Sequence, residues 1–213
     1  MNEILVVGAA PIAGAEAFYG ALLSEAAHVV AADAAGEWCV RLGRVPDFVV
    51  GDFDSSGEGA VDRLTGLGAC IERFPTDKAL TDLEIAVDVA LRHWTAPICI
   101  TAAFTGRLDH TLAAIGLLTR AGAQARIAEP DWRAWTADPA HPLRLRLPVG
   151  STFSIIALEA CSGVTARGGR WELAGQVLQP LSGRGVSNEA LDADITVSVE
   201  QGRLLVLSVD DVD

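Results

Sequence analysis

Lysine is nearly missing from this chain: fifteen of its sixteen basic residues are Arg, and Lys78 stands alone. Bases are scarce as a group, 16 against 28 acids, which leaves a formal charge of -12 at pH 7. A field of that sign repels nucleic acid, so neither DNA nor RNA is an expected partner. A polyphosphate ligand stays open, because a divalent metal held by carboxylates reverses the local sign. Any unbroken apolar run is lacking too: residues 4–23, the most apolar stretch, are interrupted by Gly8, Pro11, Gly14 and Glu16. A membrane span needs about 20 apolar residues, so no span and no membrane partner are expected. The opening Met-Asn-Glu has none of the positive charge that begins a secretory signal, which predicts a cytoplasmic protein. Cysteine is sparse, and Cys39, Cys70, Cys99 and Cys161 lie far apart with no Cys-x-x-Cys pair. That spacing argues against zinc ligands or a disulfide framework and predicts buried thiols.

What is present is a globular balance. Half of the 213 residues are apolar and 21% are charged, which a disordered chain would not show. The length suits one ordinary domain or two small ones. Up to residue 128, β-rich runs at 4–7, 29–32, 48–50, 69–74, 98–101 and 125–128 alternate with Ala- and Leu-rich helical segments. That order predicts an α/β domain with a mostly parallel sheet covered by helices on both faces. Residues 83–91 carry apolar side chains at 83, 86, 87, 90 and 91, a helical stripe opened by the capping box Thr81-Asp82-Leu83-Glu84. Beyond Pro139 and Pro142 the pattern changes to period-2 runs at 143–147, 152–158, 195–199 and 204–209, which predicts a small antiparallel β-sandwich or barrel. The expected domains are therefore 1–138 and 139–213. The second is marginal by size and is expected to pack against other protein.

Ligands of open α/β sheets bind beyond the carboxyl ends of the strands, so those exits are where chemistry is sought. The run at 48–50 passes directly into Gly51-Asp52-Phe53-Asp54-Ser55, two hard oxygen ligands beside a Gly that permits close backbone approach. A plain turn would use the same residue types. Asp82 and Asp109 fall at helix starts, where an acid also favours the helix dipole. Taken together, these four acids and Arg107 collect at strand-to-helix turns on one edge of one sheet. Metal-bridged phosphate is the ligand class that such a set suits.

Three segments in this order resemble the thiamine pyrophosphokinase family: Pro46-Asp47-Phe48-Val49-Val50-Gly51-Asp52-Phe53-Asp54-Ser55, Thr81-Asp82-Leu83-Glu84, and Gly106-Arg107-Leu108-Asp109-His110-Thr111-Leu112. In the β-rich tail, Gly163-Val164-Thr165, Arg170-Trp171-Glu172-Leu173 and Val186-Ser187-Asn188-Glu189 are similar to the family's thiamine-binding segments. The resemblance implies transfer of a diphosphoryl group from ATP to the hydroxyl of thiamine, giving thiamine diphosphate and AMP, with Mg2+ as cofactor. It implies catalytic roles for Asp52, Asp54, Asp82, Arg107 and Asp109, with the metal on Asp52, Asp54 and Asp82. ATP and its phosphates would meet Asp33, Ser55, Lys78, Thr81, Gly106 and Arg107, and thiamine would meet Trp171, Ser187 and Asn188. A homodimer with a composite site is implied as well. The chain departs from the family pattern in three places. Ala34-Ala35 stand where the family has two glycines, and Ala would hinder a backbone needing positive φ. Ala79-Leu80 stand where acidic or amide residues usually precede the Thr, and Ala102, Ala103 and Thr105 reduce the glycine-rich turn before Arg107, which bears on nucleotide affinity. Two alternatives remain: a diphosphokinase of the same architecture acting on another hydroxymethyl heterocycle such as a pterin, or a silent thiamine- or nucleotide-binding paralogue.

Overall fold

The computed structural model describes residues 2–54, 59–104 and 106–209. Its contacts divide the chain into two compact units, Met1–Ala125 and Arg126–Asp213.

The first unit holds five parallel strands, β1 (Ile4–Ala10), β2 (His28–Ala32), β3 (Phe48–Gly51), β4 (Cys70–Arg73) and β5 (Ile98–Ala103), in the order β5-β1-β2-β3-β4. Between and after them run α1 (Glu16–Glu25), α2 (Ala35–Arg41), α3 (Ala60–Gly66), α4 (Asp82–His93) and α5 (Leu108–Ala121). The central strands read as continuous apolar runs because both faces are covered, and Ile4, Val6, Val7, Val29 and Val30 are fully buried. The edge strand β4 is different, with Cys70 and Arg73 exposed. Cys70 therefore departs from the expectation of buried thiols, which Cys39, Cys99 and Cys161 meet. Burial pushes the Cys39 thiol up to about 12.

Strand order makes a crevice. The chain leaves β1 for β2 on one side, while β5 arrives on the other side of β1 from the far edge, and such reversals open a gap at the strands' carboxyl ends. At that gap β1 and β5 come unusually close: a Cβ on Gly8 would lie 2.4 Å from the carbonyl oxygen of Ala102.

Helix α4 packs on β1, β2 and β3. Its buried face is Ile85, Ala86, Val87, Val89 and Ala90, while Leu91 is 43% exposed, so the apolar stripe turns further than the sequence pattern indicates. The capping box forms: Thr81 Oγ1 accepts from the Glu84 amide at 3.2 Å, and Glu84 Oε2 accepts from the Thr81 amide at 2.8 Å. Thr81→Ala removes the hydroxyl that accepts from the Glu84 amide and donates to Glu84 Oε2, while the amide of residue 81 keeps its own bond, and is expected to destabilise the protein by about 1 kcal/mol. A thermal melt checks it, with a fall of roughly 2 to 4 °C expected for a chain of this length.

The second unit is antiparallel. Its strands are β6 (Arg126–Glu129), β7 (Trp132–Ala137), β8 (Leu143–Arg146), β9 (Thr152–Ala157), β10 (Cys161–Arg167), β11 (Leu173–Leu178), β12 (Asn188–Glu189), β13 (Asp194–Ser198) and β14 (Leu204–Val209). They form the ladders β12-β9-β14-β7-β6 and β11-β10-β13-β8. Phe153, Ile155, Leu204 and Val206 of the first ladder share one core with Val164, Ala166, Ile195 and Val197 of the second, so the two ladders are the layers of a sandwich. Alternation along β13, with Ile195 and Val197 buried between partly exposed neighbours, is what the period-2 pattern predicts.

The compact units meet earlier than the boundary read at 138/139. Strand β6 turns through Pro130-Asp131 into β7, pairing Glu129 with Trp132, and β7 continues onto β14. A two-residue hairpin keeps those strands together on one side of any division.

Candidate functional site

The exits of β2 and β3 converge because Gly51 has no side chain: a Cβ there would sit 3.1 Å from the Asp33 Cβ. Both exits also leave the β region abruptly, with φ 48° at Asp33 and φ 61° at Phe53, a conformation that non-Gly residues enter at a cost. The result is that Asp33, Asp52 and Asp54 each present a carboxylate oxygen within 4.8 Å of the others. Asp52 Oδ1 also accepts from the Asp54 amide at 3.2 Å, and that bond leads in holding the Asp52 carboxyl below the usual carboxylate range, with Lys78 helping.

Lys78 lies across this group. Its Nζ is 3.3 Å from Asp52 Oδ2 and 3.1 Å from Asp82 Oδ1, with only 14% of its side chain exposed. Burial acts to lower the ammonium's pKa, but Asp82 and Asp52 together outweigh it and raise the value. The contact with Asp82 is an ion pair, and Asp82 Oδ1 is buried with Lys78 as its charged partner.

The cavity at the β1/β5 crevice measures about 270 Å³. Its walls are small and apolar, drawn from β1, β5 and α5, while Asp33, Thr81, Asp82 and His110 supply polar groups. Ala102, at φ 51°, is the third non-Gly residue of this edge in the left-handed region. Nearby, Gly106 takes φ 75°, and Arg107 then opens α5. Arg107 Nη2 donates to Asp109 Oδ2 at 2.6 Å, and both side chains are about two-thirds exposed, 65% and 66%. Arg107 pulls the Asp109 carboxyl down to about 2. The pair is thus intact at neutral pH, and its contribution fades only as pH falls below the ordinary carboxylate value of 3.8 toward 2.

In the second unit, Trp171, Ser187 and Asn188 gather. Trp171 stands at a bend between β10 and β11 and is 57% exposed, so it is not the core residue an alternating strand would make of it. Asn188, buried, clamps that bend: its Oδ1 accepts from the amides of Trp171 at 3.0 Å and Glu189 at 2.9 Å, and its Nδ2 donates to the Trp171 carbonyl at 2.9 Å. Gly169 is required there, since a Cβ would lie 2.8 Å from Asn188 Nδ2. Ser187 takes φ 58° and donates its amide to Ser154 Oγ. Arg170 stacks over the Trp171 ring at 5.7 Å and pairs with Glu189.

Of the residues singled out by sequence, Asp33 joins Asp52 and Asp54 directly, whereas Asp82 reaches the group through Lys78. Thr81 spends its hydroxyl on the capping box, and Asn188 spends its amide on the Trp171 bend. Ser55 lies outside the described residues. The departure at Ala34 is harmless: positive φ falls one residue earlier, on Asp33, and Ala34 is right-handed helical at φ -59°. Ala102, in the turn with reduced glycine, takes positive φ. Gly8 was not singled out, although a lone Gly at the end of an apolar strand is a usual sign of close backbone approach.

A parallel sheet with a crevice at its reversal, three convergent carboxylates at adjoining exits and two helices opening there define an α/β protein suited to a metal-bridged phosphate ligand. Two family descriptions match in sequence: the thiamin pyrophosphokinase catalytic domain over residues 19–128 and the thiamin pyrophosphokinase vitamin B1 binding domain over residues 140–204. The chain belongs to the thiamin pyrophosphokinase family. Among curated proteins nothing matches it. Among solved structures, thiamine pyrophosphokinase from Bacillus subtilis is similar at 23% identity, covering 99% of this chain and 100% of its own, with TM-score 0.84. Thiamin pyrophosphokinase from Geobacillus thermodenitrificans matches at 24% identity, with 99% of each chain covered and TM-score 0.83. The Candida albicans thiamin pyrophosphokinase matches at 13%, covering 98% of this chain and 90% of its own, with TM-score 0.78. At such identities the likeness is one of fold.

Proposed function

We propose that this enzyme makes thiamine diphosphate by moving a diphosphoryl group from ATP onto the thiamine hydroxyl, releasing AMP, and that Asp33, Asp52, Asp54, Asp82, Lys78, Arg107 and Asp109 carry the reaction. The observation that carries the reading is the convergence of Asp33, Asp52 and Asp54 at the strand exits of a chain in this family.

The donor set fits magnesium. Three carboxylate oxygens within 4.8 Å of one another are hard ligands in a small space, and Asp82 Oδ1, buried and already paired with the Lys78 ammonium at 3.1 Å, is a further oxygen that accepts a cation. When bound, the metal would draw phosphate oxygens together and neutralise the charge they carry. Asp52, Asp54 and Asp33 would hold it, with Asp82 as the fourth acid of the set. Helices α4 and α5 both start at this edge, where their free amides favour anionic oxygen. Arg107, aimed by Asp109, meets the phosphates as a planar donor. A carboxyl depressed to about 2 is a poor proton acceptor, so Asp109 orients Arg107 rather than activating the hydroxyl.

The division of labour proposed for the two parts follows: a nucleotide- and metal-binding α/β domain over 1–138, and a β domain over 139–213 that binds thiamine and joins two copies. Trp171, half-exposed and rigidly held, offers an aromatic face to a cationic ring, an attraction of about 0.5 to 2 kcal/mol. Asn188→Ala frees the bend and is expected to raise the KM for thiamine about tenfold with little change in kcat. Steady-state kinetics at saturating ATP decide it; an unchanged KM would separate the bend from thiamine. A homodimer is supported by that exposed Trp171 face, and its test is sedimentation of the intact protein. A cytoplasmic setting agrees with the finding that no helix among the described residues is long and apolar enough to cross a membrane.

The test of the whole reading is AMP release from ATP and Mg2+ with and without thiamine, with mass detection of thiamine diphosphate. Thiamine-dependent AMP with matching product is expected. Thiamine binding without AMP would instead describe a silent binder, and neither would point to another heterocyclic alcohol.

A further inference from the structure

We propose that Lys78 is an internal stand-in for the divalent cation: its ammonium bridges Asp52 of the strand-exit group to Asp82 at the start of α4 when no metal is bound, and an arriving metal displaces it toward the phosphates. The proposal rests on the metal reading above and concerns how that site is kept before it is loaded.

Asp52 is one of the three convergent acids, its side chain is only 13% exposed, and Asp82 lies on the opposite side of Lys78. Carboxylates gathered at this density repel one another, and the repulsion grows as water is excluded. An ammonium within 3.3 Å of Asp52 and 3.1 Å of Asp82 relieves it. The residue type matters. An ammonium is a compact point charge with three donors on a flexible four-carbon stem, so it can sit where a small cation sits and swing away, which a planar guanidinium does less readily. In a chain that uses Arg at every other basic position, the lone Lys occupies this spot. Lys78 also lies in the short link between β4 and α4, where a side chain can turn without moving a strand or helix.

The functional consequence is coupling. Metal alone must displace an ion pair, so it binds weakly; metal arriving with a triphosphate gives the freed ammonium a new anionic partner. Each ligand then strengthens the other's binding through one side chain.

Because the chain has one lysine, lysine carrying 13C at Cε gives a single side-chain signal in the intact protein. The experiment titrates that protein with Mg2+ in the absence of nucleotide. Alongside it, calorimetry measures Mn2+ binding to the wild type, Lys78→Met, Lys78→Arg and Asp54→Asn. The Lys78 signal is expected to move to the position and narrow width of a solvated lysine as Mg2+ saturates. Lys78→Met should bind Mn2+ about tenfold more tightly than the wild type, and Lys78→Arg no more tightly. A signal that stays in place at saturation, or a Lys78→Met variant that binds no tighter, overturns the stand-in and leaves the metal site standing. Asp54→Asn that binds Mn2+ as well as the wild type overturns the metal site and the stand-in together. The titration of the wild type needs no variant to fold.

Discussion

Asp54→Asn is expected to lower thiamine-dependent AMP release by about a hundredfold to a thousandfold while the KM for thiamine changes by less than about threefold. The substitution keeps the shape of the side chain and removes its charge. It also spares the amide of residue 54, which bonds to Asp52 Oδ1, and it leaves the Lys78 ion pairs in place. What is lost is the charge on one of three hard oxygens. In diphosphoryl transfer there is little covalent work for protein groups to do, so charge neutralisation at the phosphates carries much of the rate. Hence the loss falls on kcat. Raising Mg2+ should recover part of it, because a weakened site is refilled by mass action. Initial rates across a magnesium series check both parts. Near-normal turnover at ordinary magnesium would take Asp54 out of the metal site.

Gly8→Ala is the second large effect, and it acts through the fold. The new Cβ would lie 2.4 Å from the Ala102 oxygen, 3.0 Å from its carbonyl carbon and 3.1 Å from the Ala103 Cα. All three are backbone of β5, so no side chain can yield; β1 or β5 has to move in the middle of a buried sheet. Overpacking of that kind costs about 3 kcal/mol. For a chain of this length that corresponds to a fall in Tm of roughly 6 to 12 °C. The same movement reshapes the cavity at the crevice, which Gly8, Ala9, Ala102 and Ala103 line, so AMP release should fall in protein still folded at 25 °C. A melt within about 2 °C of the wild type would show that the two strands can part at little cost.

Much of this was legible in the sequence, for reasons that differ by position. The buried strands announce themselves as apolar runs, and the acids at their ends are found by knowing where open α/β sheets bind ligands. The capping box at Thr81 is a local matter of four residues, and it forms as read. What could not be read is anything that depends on one exit's position relative to another. Asp33 meets Asp52 and Asp54 because β2 and β3 lie in register and because Asp33 and Phe53 turn into positive φ, and neither fact is written in residue types. Lys78, placed with the phosphates only by resemblance, is found between two acids that only the β3, β4 and α4 arrangement brings to it. Trp171 was ambiguous because alternation cannot tell the end of a strand from the bend beyond it, and the bend exists through Asn188, seventeen residues later. The strand at Ile127 and Ala128 is legible as a buried run, but the turn that pairs it antiparallel with β7 is not, because only the structure shows which strand follows it.

The three strained exits bear on how this enzyme could be made hardier. Asp33, Phe53 and Ala102 hold positive φ at a cost of roughly 1 to 3 kcal/mol each, all on the edge that carries the acids and the cavity. Thermal tolerance sought there, by choosing residues content in the β region, would redirect the very carboxylates that converge. Helices α1, α2 and α5 begin without a side-chain cap, but Ala34 ahead of α2 adjoins Asp33 and Arg107 ahead of α5 is itself one of the proposed site residues. A cap added at the start of α2 or α5 therefore acts on the working edge itself, so stability and the convergence of the acids are coupled within a few residues of Asp33.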